Sequence, residues 1–170
     1  MAGFKFLPPR ITHPELGFAL LLPAPGRRTP NADARYGVVV RLMDKPVEIR
    51  VLIEDTADEL DQTKGPAASP KVASQLCRDW AATRAVTRPG SIFADEGREW
   101  GCDGFAMVAY SLKDAEGDLD YEWSLVLVKG TPALAIRVVF VFDGKLGPAE
   151  CRSYVDAVLE GGMYWEDPRG

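Results

Sequence analysis

The stretch ALAIRVVFVF, residues 133–142, leaves a chain few ways to fold. At the two-residue period of a strand, Leu134, Ile136, Val138, Phe140 and Phe142 face one way. Ala135, Arg137, Val139 and Val141 face the other. Both faces are mainly apolar, so this strand belongs in the middle of a sheet with material packed on each side. The fold must then be layered, with the sheet as the inner layer.

The rest of the chain supplies those layers. RYGVVVRLM sets Tyr36, Val38, Val40 and Leu42 on one face, and MDKP makes a turn. VEIRVLIE then alternates strictly, with Val47, Ile49, Val51 and Ile53 inward and Glu48, Arg50 and Glu54 outward. The two segments predict an antiparallel hairpin. GFAMVAYSL (104–112) and YEWSLVLV (121–128) predict another, with Gly117 in the turn KDAEGD, and SIF (91–93) begins a further strand. Between these groups Ser69 reads as a helix N-cap and Pro70 as the first helical residue. Val72, Ala73, Leu76, Cys77, Trp80, Ala81 and Ala85 then recur on one helical face, and Pro89-Gly90 closes the segment. A second helix is predicted from about residue 147 to 159, with Cys151, Tyr154, Val155, Val158 and Leu159 on its apolar face and Gly161-Gly162 beyond it. The fold class is α+β: an antiparallel sheet of about six or seven strands between two helices. Residues 1–170 form a single domain, with a sandwich core over 10–160 and 1–9 and 163–170 as termini.

Composition narrows the function classes. A chain of 170 residues can bury a core large enough to need neither metal nor disulfide. A net charge of -5 argues against nucleic acid, which requires a concentrated basic footprint. The densest basic pair, Arg27-Arg28, reads as a solvated turn among prolines. The apolar run Phe18–Leu22 is far short of the about 20 residues that span a bilayer. Lys5, Pro8, Pro9 and Arg10 interrupt any signal-peptide pattern at the start. The three cysteines, Cys77, Cys102 and Cys151, have no framework spacing, so the expected compartment is the cytoplasm.

The first long strand, GFALLLPAPG at residues 17–26, resembles the gFsi.yP.gW strand entry of the PsbP-like superfamily. Where that family places a tryptophan after the strand-ending proline, this chain has PAPGRR. The superfamily holds the PsbP extrinsic subunits of photosystem II, a Ran-GTPase release factor of nuclear import and bacterial chaperones of type VI secretion effectors. The resemblance covers about residues 10–160 and implies an antiparallel sheet between helices with a late helix after the last strand. It also implies a mostly non-catalytic role, and it carries no functional residue onto this chain.

Candidate chemistry is sparse. His13, the only histidine, lies beside Pro14 and reads as a surface residue, with no G-x-S-x-G elbow in the chain to pair with it. Cys77 and Cys151 fall on apolar helix faces and read as core. Cys102, in EWGCDG, reads as an exposed thiol, and without a CxxC no zinc site is expected. Asp114, Glu116, Asp118, Asp120 and Glu122 lack the EF-hand pattern and read as a solvated hairpin tip. No phosphate-binding glycine motif is present, so no cofactor is expected. The reading is a non-enzymatic intracellular binding protein, an adaptor or chaperone for another protein such as a secretion effector. Its binding surface would hold Trp100, Cys102 and Trp123, with loops 54–70 and 95–103. One alternative is an enzyme or small-ligand binder built from the acidic segments 95–103 and 114–122. Another is an immunity or inhibitor protein. An uncovered sheet edge would favour a homodimer.

Overall fold

The computed structural model describes residues 4–13, 17–22, 24–29, 37–43, 46–54, 69–84, 88–94, 104–113, 115–129, 134–142, 146–161 and 163–165. The elements in chain order are β1 (Lys5–Leu7), β2 (Arg10–His13), β3 (Phe18–Leu21), β4 (Gly26–Arg28), β5 (Val38–Leu42), β6 (Val47–Glu54) and α1 (Ser69–Thr83). They continue with β7 (Arg88–Ala94), β8 (Gly104–Lys113), β9 (Leu119–Lys129), β10 (Leu134–Phe142), α2 (Pro148–Gly161) and β11 (Met163–Trp165).

Seven strands form one antiparallel sheet in the order β4-β5-β6-β10-β9-β8-β7. The doubly apolar strand β10 is fourth of the seven, with β6 on one side and β9 on the other. That is where its composition requires it to be. Gly117, at φ 89°, makes the tight turn between β8 and β9, a backbone state that a side chain would disfavour.

The period-two alternation assigns each strand's side chains to one of two faces. On the first face Val40, Ile49, Val138, Leu125 and Met107 join one core with Cys151, Val155, Val158 and Leu159 of α2. Ile11, Phe18 and Leu20 belong to the same core. They come from a second, four-stranded sheet in the order β1-β2-β3-β11. Each fully buried phenylalanine or isoleucine here contributes about 1.5–3 kcal/mol. On the opposite face Val72, Ala73, Leu76, Cys77 and Ala81 of α1 pack against Ala106, Val108, Val126, Val128 and Ala135. The layered α+β sandwich anticipated from the sequence is therefore present, with both helices within two residues of their expected bounds.

Three features depart from the sequence reading. The small sheet adds a layer beside α2, and its outer strands β1 and β11 lie in stretches read as termini. Arg27 and Arg28 stand in strand β4, hydrogen-bonded alongside β5, rather than in a turn. These strands have three residues each, too few to display an alternation.

Candidate functional site

A chain of polar contacts lies between α1 and the sheet. Arg137 projects from the central strand beneath the helix and is only 1% exposed. One guanidinium nitrogen donates to Ser124 Oγ at 2.6 Å and the other to the Leu76 carbonyl oxygen at 2.9 Å. The guanidinium carbon sits 4.4 Å from the centre of the Trp80 ring, a cation–π contact. Trp80 Nε1 donates to the Tyr110 hydroxyl at 2.6 Å, and that hydroxyl donates to Glu122 Oε1 at 2.8 Å. Arg84, one turn beyond Trp80, completes the chain: Nε meets Glu122 Oε1 at 3.3 Å and a terminal nitrogen meets Oε2 at 2.6 Å.

Strand register explains why these groups meet. Tyr110 and Glu122 are direct partners in the β8–β9 pairing, and Arg84 follows Trp80 by four residues, one position past the end of α1 at Thr83. Glu122 is buried while Arg84 keeps contact with solvent, so the ion pair joins the interior to the surface at the end of the helix. Burial raises the Tyr110 hydroxyl above its ordinary pKa, and the neighbouring Glu122 carboxylate raises it further. Tyr110 thus stays protonated and serves as a donor to Glu122. Cys77 adds a weak contact from Sγ to the Ser124 carbonyl at 3.8 Å. The arrangement fastens α1 to the sheet through directional contacts. Its polar heads are engaged with one another.

The same face continues to the β4 end of the sheet. There Arg27 of β4 lies opposite Arg41 of β5, which lies opposite Glu48 of β6. Glu48 accepts from Arg50 Nε at 3.1 Å and from a second guanidinium nitrogen at 2.8 Å. Val39 and Leu52 are buried with Trp80 packed against them, tying this end to the polar chain. Arg27 and Arg28 are exposed. At the opposite end of the sheet, β7 contains Pro89 and a register shift between Pro89 and Ile92.

Of the binding residues expected from sequence, Trp100 and Cys102 lie outside the described residues, as does most of loop 54–70. Trp123 is not on the surface. It is 4% exposed, with its ring edge-on to Phe142 at 5.7 Å and tilted against Tyr121 at 6.5 Å. Its strand partner is Phe140, so register sends it into the core beneath α2. His13 is likewise buried rather than exposed, edge-on to Phe4 at 5.0 Å, because β2 pairs it with Phe18. Cys77 and Cys151 pack in the two cores. The Cys151 thiol is pushed up to about 11, first by burial and then by the charge of Glu150. Glu116 and Asp118 are exposed at the hairpin tip, but Glu122 belongs to β9 and the buried polar chain. Among the described residues no group of three His, Cys, Asp or Glu side chains is placed to hold a metal ion. Among them, too, no helix is long and apolar enough to cross a membrane.

Tyr110, Ser124, Arg84 and Arg137 were not singled out by sequence motifs, and Glu122 was read only as part of the acidic hairpin tip. The available signal was Arg137 itself, a permanent cation inside an otherwise apolar central strand.

No protein-family model matches the chain, and no curated protein sequence matches it. Its α+β architecture is shared with a solved structure. Cyanobacterial PsbP (CyanoP) from Synechocystis sp. PCC 6803 superposes with a TM-score of 0.52 at 15% identity, covering 98% of this chain and 94% of that one. The protein has a PsbP-like fold.

Proposed function

We propose that this protein is a non-enzymatic intracellular binding protein, an adaptor or chaperone that engages another protein, with a secretion effector as the candidate cargo. The observation that carries this reading is the interior chain Arg137–Trp80–Tyr110–Glu122–Arg84. A base, a nucleophile or a substrate-binding cation has to present its polar head to a ligand. Here the heads of Tyr110, Glu122 and Arg137 are directed at each other and at Ser124 beneath a helix. The described polar chemistry thus serves the scaffold, which favours function through surfaces. Buried free thiols at Cys77 and Cys151 suit a reducing compartment.

The test is native-lysate capture with the tagged full chain, followed by reconstitution of any captured protein with purified chain and measurement of complex mass. A stoichiometric complex of defined mass is expected. Recovery of no stoichiometric partner counts against the reading. Turnover of a small molecule that Tyr110→Phe or Glu122→Gln abolishes without unfolding the chain replaces it with an enzyme.

A further inference from the structure

We infer that strand β4 is a docking edge for an extended, acidic segment of a partner protein, which adds to the seven-stranded sheet as one more antiparallel or parallel strand. This deepens the binding-protein reading above and rests on it. β4 stands at one end of the sheet order, with β5 as its only neighbour in that sheet among the described residues. The direction of its main-chain groups follows from its pairing. Thr29 N donates to the Val39 carbonyl at 2.9 Å, and Met43 N donates to the Pro25 carbonyl at 3.0 Å. Antiparallel strands alternate inward and outward groups, so the N–H and C=O of Gly26 and Arg28, between those two contacts, point away from β5. Gly26 also lets β4 lie close: a Cβ there would stand 2.7 Å from Val40 Cγ1.

Charge selects the occupant. Arg27 and Arg28 are exposed, and Arg27 shares its face with Arg41 in the adjoining register position. A second copy of this chain pairing β4 with β4 about a two-fold would set these arginines beside their equivalents, and like charges in cross-strand positions repel. A strand whose alternate carboxylates lie on the Arg27 face meets that arginine instead, while its main chain pairs with Gly26 and Arg28. The other end of the sheet is unsuited to this role. Pro89 lacks a main-chain donor, and the irregularity between Pro89 and Ile92 interrupts the edge.

The test uses the full chain and a fluorescein-labelled peptide of about ten residues that alternates glutamate with valine. Anisotropy measures affinity, and residue-resolved amide hydrogen exchange locates the peptide. Binding is expected, with protection gained at Gly26 and Arg28, and raising salt from about 50 to about 500 mM weakens it roughly tenfold. Arg27→Glu combined with Arg28→Glu lowers affinity by about tenfold or more, while the exposed positions leave the melting temperature near that of the parent. Peptides N-methylated at alternate nitrogens, in the parity that faces β4, lose binding to a similar degree. The proposal is overturned by no binding, by protection elsewhere, by equal binding of a lysine–valine peptide, or by full binding of both N-methylated parities. Self-association that the double substitution abolishes also overturns it, by assigning the edge to a second copy. A stoichiometric partner captured equally by the parent and the charge-reversed chain leaves the binding-protein reading standing and removes this edge from it.

Discussion

Beneath α2 and the small sheet, the central strands present Ile136, Val138, Phe140 and Phe142, and the contacts there are aliphatic and aromatic. Phe142 alone meets Trp123 and Tyr154 edge-on and stacks with Phe140. Beneath α1 the same strands present Arg137, Ser124, Glu122 and Tyr110, and hydrogen bonds run through the layer. Apolar packing is strong but tolerant of direction, since its strength follows buried area. A polar chain contributes less net free energy, yet each donor requires its acceptor in one place. The first face therefore accounts for most of the cohesion, and the second sets where α1 sits along the sheet.

Substitutions can break or sharpen that contrast. Phe142→Ala should have the largest effect, lowering unfolding free energy by about 3–5 kcal/mol through lost transfer energy and a residual cavity. Chemical denaturation measures it, and a loss below about 1 kcal/mol would mean that the first face is loosely packed. Arg137→Ala should cost about 2–4 kcal/mol, while Arg137→Met, which restores volume without polar atoms, should recover most of the loss. Equal losses in the two variants would show that hydrogen bonding rather than volume makes this position sensitive.

Tyr110→Phe should cost about 1–3 kcal/mol at neutral pH, because Trp80 Nε1 and a Glu122 oxygen each lose a partner. It carries a pH signature as well. The unfolded tyrosine releases its proton near pH 10 whereas the folded one, raised by burial, retains it. The folded state then binds more protons, so this stabilising contribution is complete below about pH 10 and is lost as pH rises further. Tyr110→Phe should flatten that decline. Urea titrations between about pH 8 and 11 in a Cys151→Ala background are the measurement, since the Cys151 thiol, pushed up to about 11, contributes a loss of the same sign. An unchanged slope would place Tyr110 in contact with water.

Trp123→Phe should have the smallest effect, within about 1.5 kcal/mol. The indole Nε1 meets no hydrogen-bond acceptor among the described residues, so removing it offsets part of the lost area. A larger penalty, seen by the same denaturation assay, would reveal a partner for that nitrogen.

The large sheet was legible because its strands are long enough to repeat. β6 and β10 show eight and nine residues of alternation, and β10 announced its central place by being apolar on both faces. Both helices were legible from capping and from the spacing of Leu76, Cys77 and Trp80 or Val155, Val158 and Leu159. The small sheet was not, since β1 and β11 are three-residue strands whose pairing depends on distant segments. The polar chain was hidden for a related reason. Glu122 sits two residues from Asp120 in an acidic run, and nothing local marks which carboxylate lies opposite Tyr110. Register with β8 makes that distinction, and register is a property of two strands. Trp123 was misplaced by the same ignorance of its partners Phe140 and Ala109.

In the small sheet, β3 is flanked by β2, its near neighbour in sequence, and by β11 from the far end of the chain, with Met163 beside Leu20 and Trp165 beside Phe18. Such distant pairing makes assembly of that layer a late event, since the intervening polypeptide must first be brought together. During synthesis β3 cannot pair with β11 until residues 163–165 have emerged. A truncation just before Met163 would remove that pairing and turn β3 into an adhesive border.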